Sequence, residues 1–64
     1  MRVNGAEVSL NGAYTLKAFL EREGYVIERI AVQKNGQIIP KALYETEPLA
    51  ENDRLEIVSF VGGG

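Results

Sequence analysis

Few groups in this 64-residue chain could carry chemistry. It has no Cys, no His and no Trp. Without Cys there is no thiolate nucleophile and no disulfide framework. Without His the commonest general base and metal ligand is missing. Carboxylates remain, but not at the spacing of a calcium loop. A self-sufficient enzyme is therefore not expected. The one distinctive reactive group stands at the end of Phe60-Val61-Gly62-Gly63-Gly64. Its terminal carboxylate, with a reference pKa of about 3.3–3.7, is ionised near neutral pH. Glycine lacks a Cβ, so Gly62 and Gly63 reach backbone conformations closed to other residues. They are expected to be disordered in the free protein and able to thread a channel too narrow for side chains. Gly64 flanks its acyl carbon minimally, which opens that carbon to attack. A carboxylate is a poor acyl donor, so its oxygen must first become a leaving group.

Composition narrows the remaining possibilities. A chain this short forms at most one domain and buries only about 60% of the surface its unfolded form exposes. Nine acids against seven Lys and Arg give a net charge of −2, which does not supply the basic stripe a nucleic-acid surface needs. No apolar run reaches the length of a membrane span, and no segment at Met1 reads as a signal peptide. A cytosolic protein, monomeric on its own, is expected.

The elements that must position the tail are legible from punctuation and period. Asn4-Gly5 marks a hairpin turn between Val3 and the alternating Val8 and Leu10, and Asn11-Gly12 ends the second strand. Thr15 predicts a helix N-cap, with Tyr14 and Phe19 at staple positions and Leu16, Phe19 and Leu20 on one face. Gly24 suits the left-handed C′ position of that helix, which spans about nine residues and needs tertiary packing to hold. A second hairpin follows: Ile30 and Val32 lead into Asn35-Gly36, Ile38-Ile39 returns, and Pro40 ends the strand. Leu43, Tyr44 and Leu49 are expected to pin a loop, with one helical turn near Lys41 to Glu45. After the Asn52-Asp53 turn, RLEIVSFV is the strongest strand pattern. One sheet with one helix across a face buries these stripes.

This order, ending in a strand that feeds a glycine tail, resembles the β-grasp fold of ubiquitin-like proteins. More narrowly the chain resembles the ThiS family of bacterial sulfur carriers, which serve thiazole formation in thiamine biosynthesis. The motifs are the first NG hairpin, TLKAFLEREG, AVQKNGQIIP, ENDRLEIVSF and the terminal GGG. The resemblance covers the whole chain. It implies an α+β fold: a mixed sheet of about five short strands on one helix, with the first and last strands parallel and adjacent at the centre. Residues 1–61 would form the domain and 62–64 the tail.

For function, the resemblance implies that Gly64 is the covalent site and that Gly62 and Gly63 give access to it. An E1-like, ThiF-like adenylyltransferase would use ATP and Mg²⁺ to form the acyl-adenylate. A sulfur donor system would then displace AMP to leave a thiocarboxylate, and a ThiG-like thiazole synthase would take the sulfur. No cofactor is expected on this chain itself. Alternatives are a small subunit of molybdopterin synthase, a modifier joined to lysines, or a non-covalent β-grasp adaptor. The first is usually longer and ends in two glycines.

Strand alternation places Leu55 and Ile57 toward the helix, and Val58 and Phe60 on the opposite face with Glu56. Either that face is covered, or Val58, Phe60 and Val61 form a partner surface. Glu45, Glu47, Glu51, Asp53 and Glu56 read as solvated surface or as charges that steer a basic partner. Arg2, Lys17, Lys34 and Lys41 read as solubility.

Overall fold

Three Asn-Gly dipeptides set corners of the fold. In the computed structural model, which describes residues 1–60, Asn4-Gly5, Asn11-Gly12 and Asn35-Gly36 all hold positive φ. Two of them are two-residue hairpin loops, where positive φ at both central positions matches the twist of the flanking strands. Asn4-Gly5 joins β1 (Arg2–Val3) to β2 (Ala6–Glu7). Asn35-Gly36 joins β3 (Ile30–Lys34) to β4 (Gln37–Ile38). The last strand, β5 (Arg54–Ser59), lies between the two hairpins. The sheet order is β2-β1-β5-β3-β4, with β1 parallel to β5 and every other pair antiparallel. This is the expected β-grasp, with β5 at its centre.

The helix α1 spans Leu16–Arg22, shorter than the sequence suggests. Thr15 caps it, its hydroxyl accepting from Ala18 N–H at 3.3 Å. The next free donors are met by the 41–49 segment: Leu16 N–H donates to Glu47 O and Lys17 N–H to Tyr44 O, both at 2.8 Å. At the other end Gly24 has φ +83. Tyr25 N–H donates to Leu20 O at 3.0 Å and Gly24 N–H to Glu21 O at 3.1 Å, the paired bonds of a Schellman motif.

Leu16, Phe19 and Leu20 of α1 pack with Val3, Ile30, Val32, Leu55 and Ile57 of the sheet. Tyr44 and Leu49 close the core from the connecting segment, which includes a 3₁₀ turn at Lys41–Leu43.

Several local expectations are corrected. The second strand stops at Glu7, and Leu10 reaches the core from the loop after it. Tyr14 lies largely in solvent instead of stapling onto Phe19, although its carbonyl accepts from Leu49 N–H at 2.9 Å. Leu43 is also exposed, so of the three apolar residues only Tyr44 and Leu49 pin the loop to the core. A 3₁₀ turn at Ile27–Arg29, without a clear sequence signal, precedes β3.

Lys34 is no solubility residue. Its ammonium donates to Pro48 O at 2.9 Å and pairs with Glu47 at 2.9 Å and with Asp53 at 3.9 Å. Two of the acids read as surface charge are thereby committed to structure. Asp53 also accepts from Asn35 Nδ2 at 2.9 Å and from Ala50 N–H at 2.8 Å. Burial alone would raise its carboxyl, but these donors and Lys34 together hold it below the usual carboxylate range. Among the described residues, no helix is long and apolar enough to cross a membrane.

Candidate functional site: the root of the tail

In sequence the glycine tail follows β5, so the site is built from that strand outward. β5 forms because Leu55, Ile57 and Val58 favour a pleated surface, and because Leu55 and Ile57 bury their side chains under α1. Its ladder continues one residue past the strand: Phe60 N–H donates to Arg29 O at 2.7 Å. Phe60 is the last described residue, and the chain is tied to the sheet up to that point.

Among the described residues, nothing covers the outer face of the sheet at this end. Val58 is 61% exposed and Phe60 50% exposed. Register adds further residues. Ala31 lies opposite Val58, while Gln33 lies opposite both Glu56 and Ile38. Cross-strand partners share a face, so Ile38 (72% exposed) stands on the same side. The sequence could have located Ile38. A two-residue Asn-Gly loop pairs Lys34 with Gln37 and hence Gln33 with Ile38. Further from the tail, the face turns polar and charged through Gln33, Glu56, Arg54 and Arg2.

Lys41 is the second addition. Its ammonium lies 5.5 Å from the centroid of the Phe60 ring. At that range a cation is attracted to the ring face. Lys41, expected to serve solubility, thus sits at the tail root. It also lines a shallow cavity with Lys17, Ile27, Glu28, Tyr44 and Glu45. A second cleft lies at the opposite end of β5, among Met1, Arg2, Glu7, Glu51 and Arg54. Most of its charges are already engaged: Glu51 and Glu7 lie 3.4 and 3.8 Å from the terminal ammonium, and Arg2 lies 3.6 Å from Glu7.

Of the expected site residues, Val58 and Phe60 thus come together on one open apolar face. Val61, Gly62, Gly63 and Gly64 lie outside the described residues. Of the acids expected to steer a partner, Glu47, Asp53 and Glu51 are paired, and Glu45 lies 3.9 Å from Lys17. Glu56 alone of that group lies on the outer face of β5 beside the patch.

Comparison with known proteins places this geometry in a family. A thiamine biosynthesis protein (ThiS) from Geobacter metallireducens superposes with a TM-score of 0.81 over 98% of this chain and 96% of its own, at 24% identity, a likeness of fold. The thiazole synthase of Paramagnetospirillum magneticum is 37% identical over 62 residues, and that of Magnetococcus marinus 31% identical over 64. These matches cover 97% and 100% of this chain, which spans only about a fifth of the length of those relatives (19% and 20%). The protein ycf40 of Pyropia yezoensis is 30% identical over 64 residues and is covered over 90% of its length. The model of the ThiS family matches residues 1–64, tail included, and this chain belongs to the ThiS family.

Proposed function

We propose that this chain is a sulfur carrier of thiamine biosynthesis that works through the terminal carboxylate of Gly64. The carboxylate attacks the α-phosphorus of ATP in an E1-like adenylyltransferase, and pyrophosphate leaves. A sulfur nucleophile then attacks the acyl carbon and displaces AMP, leaving a thiocarboxylate. Thiazole synthase takes the sulfur at the sulfide level, and water supplies the oxygen that restores the carboxylate. ATP and Mg²⁺ belong to the activating partner. Gly62 and Gly63 give the narrow access that such a transfer needs, and Val58, Phe60 and Val61 dock the partner.

The match of the ThiS family model over residues 1–64 carries this reading. Relatives named thiazole synthase favour thiazole formation over molybdopterin synthesis as the destination. The open face at Val58 and Phe60, beside the strand that leads to the tail, supports docking there.

The test is an intact mass after incubation with a cognate adenylyltransferase, ATP and a sulfur donor. One oxygen should be replaced by sulfur, and the change should vanish when Gly64 is deleted or amidated. An unchanged mass with a competent activating enzyme would overturn the reading.

A further inference from the structure

An asparagine carboxamide is open to attack by the next backbone nitrogen, most of all when glycine follows and leaves that nitrogen unshielded. Three such pairs occur here, Asn4-Gly5, Asn11-Gly12 and Asn35-Gly36, and all are exposed. Solvent access does not separate them, but anchorage does. Asn4 Oδ1 accepts from Ile57 N–H at 2.8 Å and its Nδ2 donates to Ile57 O at 3.1 Å. Asn35 Nδ2 donates to Asp53 at 2.9 Å and its Oδ1 accepts from Arg54 N–H at 3.0 Å. Both carboxamides are therefore held at both ends. Asn11 has one partner among the described residues, the Ser9 hydroxyl, which donates to Oδ1 at 3.0 Å.

The Asn11-Gly12 turn also differs in its setting. It lies outside every strand and is closed by one backbone bond, from Ala13 N–H to Leu10 O at 2.9 Å. The Arg22 guanidinium holds the chain before it, donating to Ser9 O at 2.6 Å and to Leu10 O. Val8 N–H donates to Met1 O, so this loop leaves the sheet at the start of β5, the end opposite Phe60. A Cβ on Gly12 would meet nothing within 4 Å, so the space around the attacking nitrogen is open.

We propose that Asn11 is the site of spontaneous deamidation in the folded protein, with water as the co-reactant. The Gly12 nitrogen gives up its proton to solvent base and bonds to Asn11 Cγ. The Cγ–Nδ2 bond breaks, and Nδ2 leaves as ammonia. Water then opens the resulting five-membered imide at either carbonyl, giving aspartate or isoaspartate. Cyclisation must swing Cγ onto the next nitrogen, so Asn4 and Asn35 must first break two hydrogen bonds each. The isoaspartyl product lengthens the backbone by one atom between Leu10 and Ala13, both buried in the core. Either product adds one negative charge.

Peptide mass mapping of the folded chain, held at pH 8 and 37 °C and sampled over days, tests this. Asn11 should convert at least about tenfold faster than Asn4 or Asn35, the factor that the extra hydrogen bonds supply. In concentrated guanidinium chloride the three rates should fall within about threefold of one another, because the anchoring contacts are gone. No conversion at Asn11, or a folded-state ratio below tenfold, overturns the proposal. So does persistent resistance of Asn4 and Asn35 in denaturant, which would assign their protection to local sequence.

Discussion

The Asn4 carboxamide pairs with both backbone groups of Ile57, at 2.8 and 3.1 Å, across 53 positions of sequence. A side chain from the turn here completes a ladder that the two-residue β1 is too short to finish. Asn4 meets two demands: a φ of +51 for the turn and an amide for the strand. Asn4→Gly should keep the turn and lose both hydrogen bonds, at a cost of about 1–3 kcal/mol in urea unfolding. Asn4→Ala should cost about 1–2 kcal/mol more, because an L side chain resists positive φ. Equal stabilities of the two variants would count against a conformational role.

Lys34 holds the 47–53 segment to the end of β3. It is only 18% exposed, and Glu47 and Asp53 are 19% and 13% exposed. Lys34→Met should leave both carboxylates and the Pro48 carbonyl without their cation. A loss of about 1–3 kcal/mol is expected, because an uncompensated, largely buried charge costs more than a surface pair. Thermal unfolding at neutral pH would measure it.

The depressed Asp53 carboxyl makes stability pH-dependent in a definite direction. Its contribution is complete above the unfolded value near 3.9 and is lost as pH falls through the lower folded value. Unfolding curves from pH 5 down to pH 2 should therefore decline more steeply in the parent than in Asp53→Asn. Parallel curves would rule out this contribution.

The patch is separable from the core. Phe60→Asp and Val58→Asp should shift folding stability by about 1 kcal/mol or less, since both side chains are at least half exposed. Either should slow adenylation at least about thirtyfold if the residue anchors the partner, as an interface hot spot does. Ile38→Asp should act in the same direction. A variant that unfolds would instead assign its residue to the core.

Much of this was legible in the sequence, because turns and caps carry local signals. Asn-Gly pairs, Thr15 and Gly24 each need only their neighbours to act, and each sits where its chemistry predicts. Leu55 and Ile57 follow from alternation alone. The outer-face positions of Val58 and Phe60 were equally readable, but whether anything covered that face depended on the whole sheet. Asn4–Ile57 and Lys34–Glu47 depend on chain segments meeting in space, which no local pattern encodes. Tyr14 and Leu43 depart from expectation because apolar character does not fix burial, and a small domain leaves many apolar groups in solvent.

The parallel pairing of β1 with β5 has a mechanical consequence. Tension applied at Phe60 runs along the axis of β5, across hydrogen bonds that lie perpendicular to it toward β3 and slanted toward β1. Such bonds are loaded together in shear and do not unzip one by one. A partner that pulls on the chain end therefore meets a stiff anchorage, and force is delivered to the tail before the domain yields.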